Sequence, residues 1–491
     1  MSDRISRRSM LRTGAAATAL IPFPIWFEQY GAKASTPMVR YSAESTQGAA
    51  NLATYRSVVS HMMSQPTGNP CSWAFQWYTH AVPSNTTKAA QIALLPAAQQ
   101  PLATDMWNTC QAHGSTPGAV EDYFLPWHRM YVYFFERIVR TLSGNTNWTL
   151  PYWDYTVTAQ RSIPTPFRSS SSNALYRPNR NSGGTAGNPN INAGQPLDYG
   201  LSPSPISQDF AAAVAETAYS PSGSHQGFNM TLDFGLHGDV HVLTGNGTNM
   251  GSVPFAAGDP VFYTHHCNID RIWASWNNAG RANPTSSSWL NKTFIFADEH
   301  CNKVIGKIDD FKSIVPLNYT YDSFVRIPGG RVLNLGNLKF LAVQEGITIP
   351  NPPDPYHIAI PLNDEATSRL KLQTRSLVGS SSEVRLVLRN LTAKESPEVL
   401  YAVYVGLPAG SRTVPKGAKP VGYVNFFESA MPGMAMNEPQ NRFHSFDVTE
   451  ALRGAKMAGT ERSLNVTLQP LGRPKAGAAP TIGRMELVAT E

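Results

Sequence analysis

The 491-residue chain predicts an α+β protein: mainly helical over its first two thirds, then a β-sandwich or barrel-like C-terminal domain. Three observations predict it. Up to about residue 330, apolar residues recur at helical spacing in "NLATYRSVVSHMMSQ", "WHRMYVYFFERIVRTL" and "NIDRIWASWNNAGR", the last stopped by Gly280. Between these runs, roughly 156–209 is rich in Ser, Pro, Asn and Gly, and its few apolar residues mark it as surface loops. Past about residue 345 the period becomes two. In "EVRLVLRN", Val384, Leu386 and Leu388 alternate with Arg385 and Arg389, and "EVLYAVYVGLP", "PVGYVNFF", "SLNVTLQPLG" and "RMELVATE" continue the strand series.

The order along the chain follows from these changes. Residues 1–34 read as a targeting segment: "SRRSMLR" precedes a short apolar stretch, and "AKA" supplies a cleavage site. It resembles a twin-arginine export signal, which implies a periplasmic or extracellular protein. Residues 35–330 form the helical domain, 331–356 a Pro-rich linker and 357–491 the β-rich domain. Removing 1–34 takes away five basic and two acidic residues, so the net charge drops from +6 to +3. Nothing in that balance calls for a nucleic-acid partner. No apolar run reaches the roughly 18 residues of a permanent membrane span. The oligomeric state is not legible.

The four cysteines, Cys71, Cys110, Cys267 and Cys301, lack CxxC spacing, which argues against a zinc ribbon. Export permits a disulfide, and Cys71–Cys110 is the pair expected.

The histidines carry the chemistry. "HGDVH" puts His237 and His241 one helical turn apart, a common way to aim two nitrogens at one metal. His128 opens the apolar run "FLPWHRMYVYFFER", and His80 and His113 stand beside aromatic or small residues. In "DPVFYTHHCNID" the adjacent His265 and His266 point about 100° apart on a helix, so one of them is the ligand. His266 shares its face with Phe262 and Asp270, and Asp270 is expected to support its second nitrogen. Two groups result: His80, His113, His128 and His237, His241, His266. Imidazole-only sites suit copper or zinc.

"FLPWHRMYVYFFE", "PYWDYT", "LHGDVH" and "DPVFYTHHCNID" together resemble, in order, the signature segments of the tyrosinase and polyphenol oxidase family of type 3 copper proteins. The resemblance runs from about residue 50 to the end and is strongest at 120–275. It implies a central four-helix bundle holding two copper ions, one per histidine group, with dioxygen as co-substrate. It implies oxidation of ortho-diphenols to ortho-quinones, with monophenol hydroxylation or ortho-aminophenol oxidation as further activities on small phenolic or aminophenolic substrates. It also implies a C-terminal domain that covers the site and keeps the enzyme latent. A hemocyanin-like dioxygen carrier without turnover is the alternative, and a two-zinc hydrolase would need bridging carboxylates that the groups lack.

The chain departs from the pattern in places. Asp233 and Gly238 stand where many monophenol-hydroxylating members have Glu and Asn, which position a water to deprotonate the phenol. Asp233 is therefore the expected catalytic carboxylate, but shorter, and hydroxylation is expected to lag diphenol oxidation. Gly238, Val242 and Val253 are expected to line the substrate's approach. Cys110 lies three residues before His113, which makes a cysteine–histidine thioether doubtful. Met431, Met434 and Met436 are expected in a solvent-facing loop.

Overall fold

The computed structural model describes residues 36–110, 123–168, 173–329, 338–350, 353–375, 383–427, 443–454 and 462–490. The helical part is organised on two long helices, Phe124–Ser143 and Val261–Asn278, which pack against each other. Both are buried nearly all round rather than along one stripe, because neighbouring elements cover every face. Phe124–Ser143 stops at Gly144, whose φ of 66° is the left-handed cap that glycine supplies without strain. Thr46–Ser64 lies alongside, its start capped by the Ser45 hydroxyl accepting from the Gly48 N–H.

Burial of these helices encloses charge, and Arg40 and Arg129 pair there with Glu136 and Asp270. Strand β1 (Met38–Arg40) runs parallel to a later strand, Tyr319–Tyr321, and delivers Arg40 into the interior. Arg40 donates to Glu136 at 2.8 Å and to Asp270 at 3.0 Å. Arg129 donates to the other oxygen of Asp270 at 2.5 Å, and the Tyr319 and Tyr321 hydroxyls complete its shell. Burial alone would raise the Asp270 pKa, but Arg129 and Arg40 hold it below the ordinary value.

This corrects the expected role of Asp270. It does not support His266, whose Nδ1 bonds the Phe262 carbonyl at 2.9 Å instead. Helical side chains lean toward the N-terminus, so His266 reaches back one turn and not forward to Asp270. A second correction concerns the disulfide. Cys71 is bonded to Cys301, 230 residues away, while Cys110 is a buried free thiol. Only the fold brings the partner near, so the pairing had no local signal.

Beyond β1 the helical part carries a hairpin, β2 (Thr293–Ala297) with β3 (Lys303–Lys307), and then β4, the Tyr319–Tyr321 strand. The C-terminal strands are β5 (Leu338–Thr348), β6 (Tyr356–Pro361), β7 (Val384–Thr392), β8 (Tyr401–Val405), β9 (Gly422–Val424), β10 (Phe443–Asp447), β11 (Ser463–Pro470) and β12 (Thr481–Thr490). They form two antiparallel sheets of order β10-β7-β12-β5 and β6-β11-β8-β9. Leu386, Leu388 and Leu487 of the first sheet share one apolar core with Val403, Val466 and Leu468 of the second, which makes a sandwich. The stretch expected to be a linker supplies β5, hydrogen-bonded along β12. Leu400 and Phe427 leave the sandwich core and join the apolar core of the helical part.

Asp270→Asn should lower the unfolding free energy by about 3–5 kcal/mol, because two buried guanidiniums lose their counter-charge. Denaturant titration checks this, and a loss under about 1 kcal/mol would contradict the network's role.

Candidate metal centre

Five helical segments deliver the histidines. His80 ends the helix Trp73–His80, which the Ser72 hydroxyl caps, and His128 lies one turn into Phe124–Ser143. His237 closes the π-helical turn Asp233–His237, and His241 sits in the following helix Gly238–Thr244. His265 and His266 lie in Val261–Asn278. All are almost completely buried.

They gather into two groups. Candidate ligand atoms of His237, His241, His265 and His266 lie within 4.8 Å of one another, and so do those of His80, Cys110 and His128. His128 and His266 stack between the groups, their ring centroids 4.3 Å apart. His113 lies outside the described residues, as do the export segment and Met431, Met434 and Met436.

Backbone carbonyls orient these rings. Nδ1 of His128 bonds the Phe124 carbonyl at 3.0 Å, that of His237 the Asp233 carbonyl at 3.0 Å, and that of His241 the Met250 carbonyl at 2.8 Å. With His266 on Phe262, four imidazoles are held the same way. A carbonyl accepts only from an N–H, so each ring carries its proton on Nδ1 and keeps the Nε2 lone pair for a metal. Nε2 of His241 and of His266 is buried without a hydrogen-bond partner. His80 differs: it has a backbone bond at Val253, and its buried Nδ1 is the nitrogen without a partner.

His265 had been set aside on helical geometry, yet it stays with the second group. Its Nδ1 meets the Tyr155 hydroxyl at 2.8 Å, and its ring lies parallel to His237 at 5.4 Å. The 100° step separates Cβ directions, but an imidazole extends far enough past Cβ for neighbouring rings to converge.

Other expected residues fall in unexpected places. The Asp233 carboxylate lies 3.1 Å from Nδ1 of His237, on the side away from the Nε2 lone pair. Its carbonyl and carboxylate both face that nitrogen from one helical turn earlier. Val253 is buried beside His80, and Val242 is buried with its carbonyl taking the Asn181 amide. Phe262 stacks on His266 at 3.9 Å.

Two residues that the sequence did not flag close the site. Phe427 stacks on His241, centroids 4.1 Å apart and planes 16° apart, and presents an edge relation to His237. The Asn425 amide sits against Gly238 and donates to Asp239 at 2.9 Å. Burial pushes the Asp239 pKa up to about 6. Burial and the neighbouring Asp239 together push Asp209 well above the ordinary carboxyl value. Burial, then repulsion from His237, lowers His80 to about 3 and puts His241 and His265 well below 6.5; burial, then repulsion from His128 and His265, does the same to His266.

Comparison with known proteins bears on these groups. Residues 70–279 match the model of the common central domain of tyrosinase. The chain is 30% identical over 399 residues to tyrosinase HcTyr1 from Hahella sp. (strain CCB-MM4), covering 72% of this chain and 82% of that protein. It is 33% identical over 230 residues to polyphenol oxidase II, chloroplastic, from Ipomoea batatas, and there spans only 39% of the plant protein's length and 42% of this chain. In three dimensions it is similar to a latent aurone synthase (polyphenol oxidase), with TM-score 0.62, 20% identity and coverage of 93% and 90% of the two chains. That likeness extends through the sheet domain.

In the metal-free chain the buried imidazoles bind protons only after unfolding, so stability should fall as pH drops through about 6.5 toward the folded value of His80 near 3. Each such imidazole contributes up to about 1.4 kcal/mol per pH unit. Denaturant midpoints between pH 7 and 4 check this, and a flat profile would contradict it.

Proposed function

We propose, from the premise that this chain belongs to the tyrosinase family and is a copper-dependent oxidase of phenols, how its residues divide the work. His237, His241 and His266 hold one copper, and His80, His113 and His128 hold the other. One observation carries the assignment: the buried nitrogens of His80, His241 and His266 have no hydrogen-bond partner, and the groups they belong to include no carboxylate. That donor set fits copper better than a bridged zinc pair.

Bound there, the copper pair supplies the transfer of two electrons from each ortho-diphenol to dioxygen, two diphenols per O2 giving two ortho-quinones and two waters. The chain supplies position and dryness. Carbonyl-held Nδ1 protons keep the Nε2 lone pairs aimed, and Phe124 and Phe262 pack against the rings to exclude water. Gly238 has no amide to orient a water, and Asp233 faces Nδ1 of His237, so neither is placed to deprotonate a monophenol. Diphenol or aminophenol oxidation therefore outpaces monophenol hydroxylation.

Residues 35–330 act as the oxidase domain and the sandwich of β5–β12 as its cover, with Phe427 filling the place over His241. The N-terminal pattern supports export by the twin-arginine route to the periplasm or beyond. No helix among the described residues is long and apolar enough to cross a membrane.

Copper analysis with initial rates on matched monophenol, catechol and ortho-aminophenol tests the scheme. Two coppers with catechol turnover well above monophenol turnover is the expected result; equal rates would refute the preference, and oxygen binding without turnover would mean a carrier. His266→Ala should lose one copper and nearly all oxidation, whereas His265→Ala should keep both coppers; the reverse reassigns the ligand. Phe427→Ala in the full-length chain should raise catechol oxidation roughly tenfold, since it removes a stacked pair worth up to about 1.5 kcal/mol beyond the ring's buried area. An unchanged rate would show that the cover does not restrain the enzyme.

A further inference from the structure

The segment after the helix Gln100–Met106 is pinned against the helix that ends in His80. Asn108 turns the chain with a φ of 60°, a left-handed conformation that asparagine tolerates. Its N–H donates to the Tyr78 carbonyl at 3.0 Å, and its side-chain oxygen accepts from the Val82 N–H at 2.6 Å. The Thr109 hydroxyl donates to the Thr79 carbonyl at 3.4 Å. Cys110 comes next, 3% exposed, and these bonds set it beside His80 and His128.

The other sulfurs are engaged elsewhere. Cys71 and Cys301 are bonded to each other, and the Cys267 thiol donates to the Leu150 carbonyl at 3.4 Å. Cys110 Sγ belongs instead to a group whose candidate ligand atoms all lie within 4.8 Å of one another. A second observation points the same way. His80, 2% exposed, keeps its Nδ1 without a hydrogen-bond partner. Nδ1 of His128 is fixed on the Phe124 carbonyl, which leaves the Nε2 lone pair for a metal. A buried polar atom without a partner costs free energy until a donor or a cation meets it.

Resting on the copper-oxidase reading above, we infer that Cys110 Sγ is a ligand of the metal that His80 and His128 hold. The two sites then differ in kind, the first offering sulfur as well as nitrogen and the second nitrogen alone. As the metal–sulfur bond forms, the S–H bond breaks and its proton leaves to solvent, with no electron transferred. A soft thiolate favours Cu(I), so the first site takes Cu(I) ahead of the second.

The test uses the full-length protein, stripped of metal by a chelator under reducing conditions. Cobalt(II) is the first probe, because a thiolate bound to it gives a near-ultraviolet sulfur-to-metal charge-transfer band that imidazoles do not. Wild type should show the band, and Cys110→Ser should lose it. Competition with a Cu(I) chelator is the second probe. Cys110→Ser should weaken the tightest Cu(I) site by more than the roughly tenfold that losing an outer-shell partner costs. A missing wild-type band, a band that survives Cys110→Ser, or an unchanged Cu(I) affinity would overturn the inference. So would an intact mass lower by two hydrogens after copper loading, since the sulfur would then be bonded to a ring carbon. If Cys110→Ser does not fold, His80→Gln should weaken the same band, and a band of full strength there counts against the site. Catechol oxidation by the copper-reloaded wild type is recorded in parallel: its failure would sink the oxidase reading, while the sulfur band still decides the ligand.

Discussion

Everything at the centre depends on one constraint: each buried imidazole must hand its proton to something other than a metal. Three of the rings do this through the carbonyl one turn earlier, His128 on Phe124, His237 on Asp233 and His266 on Phe262. Helix geometry provides that acceptor, because the side chain leans toward it. The result is a set of preset lone pairs in a region that water does not reach. The same burial lowers the imidazole pKa values, so the rings remain neutral donors well into acid.

Keeping such helices in register requires burying charge near the site, and the Arg40, Arg129, Glu136 and Asp270 network satisfies that requirement. It ties the two long helices to β1 and β4, elements far apart in sequence. The carboxylate expected to serve a histidine is consumed by this structural role. A buried guanidinium without a partner costs more than an imidazole whose N–H already has a carbonyl.

The C-terminal sandwich is more than an appendage, because Leu400 and Phe427 are part of the helical core. Its contact with the site is specific: a ring on His241 and an amide beside Gly238. The absent side chain at 238 thus has two consequences at once. It leaves the Asn425 amide room to lie beside the helix, since a Cβ there would lie 2.6 Å from both amide atoms, and it lets that amide reach Asp239.

Much of this was legible from the chain. Period-3.6 runs, the change to period two past 345, and Gly280 as a stop signal are local properties, and the helices and strands occur where those patterns fall. The grouping of His237, His241 and His266 came from i, i+4 spacing and from motifs similar to the family's. Relations between distant segments were decided only by tertiary structure. Cys71 pairs with Cys301 and not Cys110, Asp270 turns to arginines, β5 occupies the supposed linker, and His265 remains within reach of its neighbours. Asn425 and Phe427 sit in an ordinary strand-like stretch, "YVNFF", with no sign of the site they cover. The reason is physical: periodicity and spacing report the few residues that share a face or a turn, whereas pairing of buried charge, thiols and rings is settled by whichever partner the packed chain brings within a few ångströms.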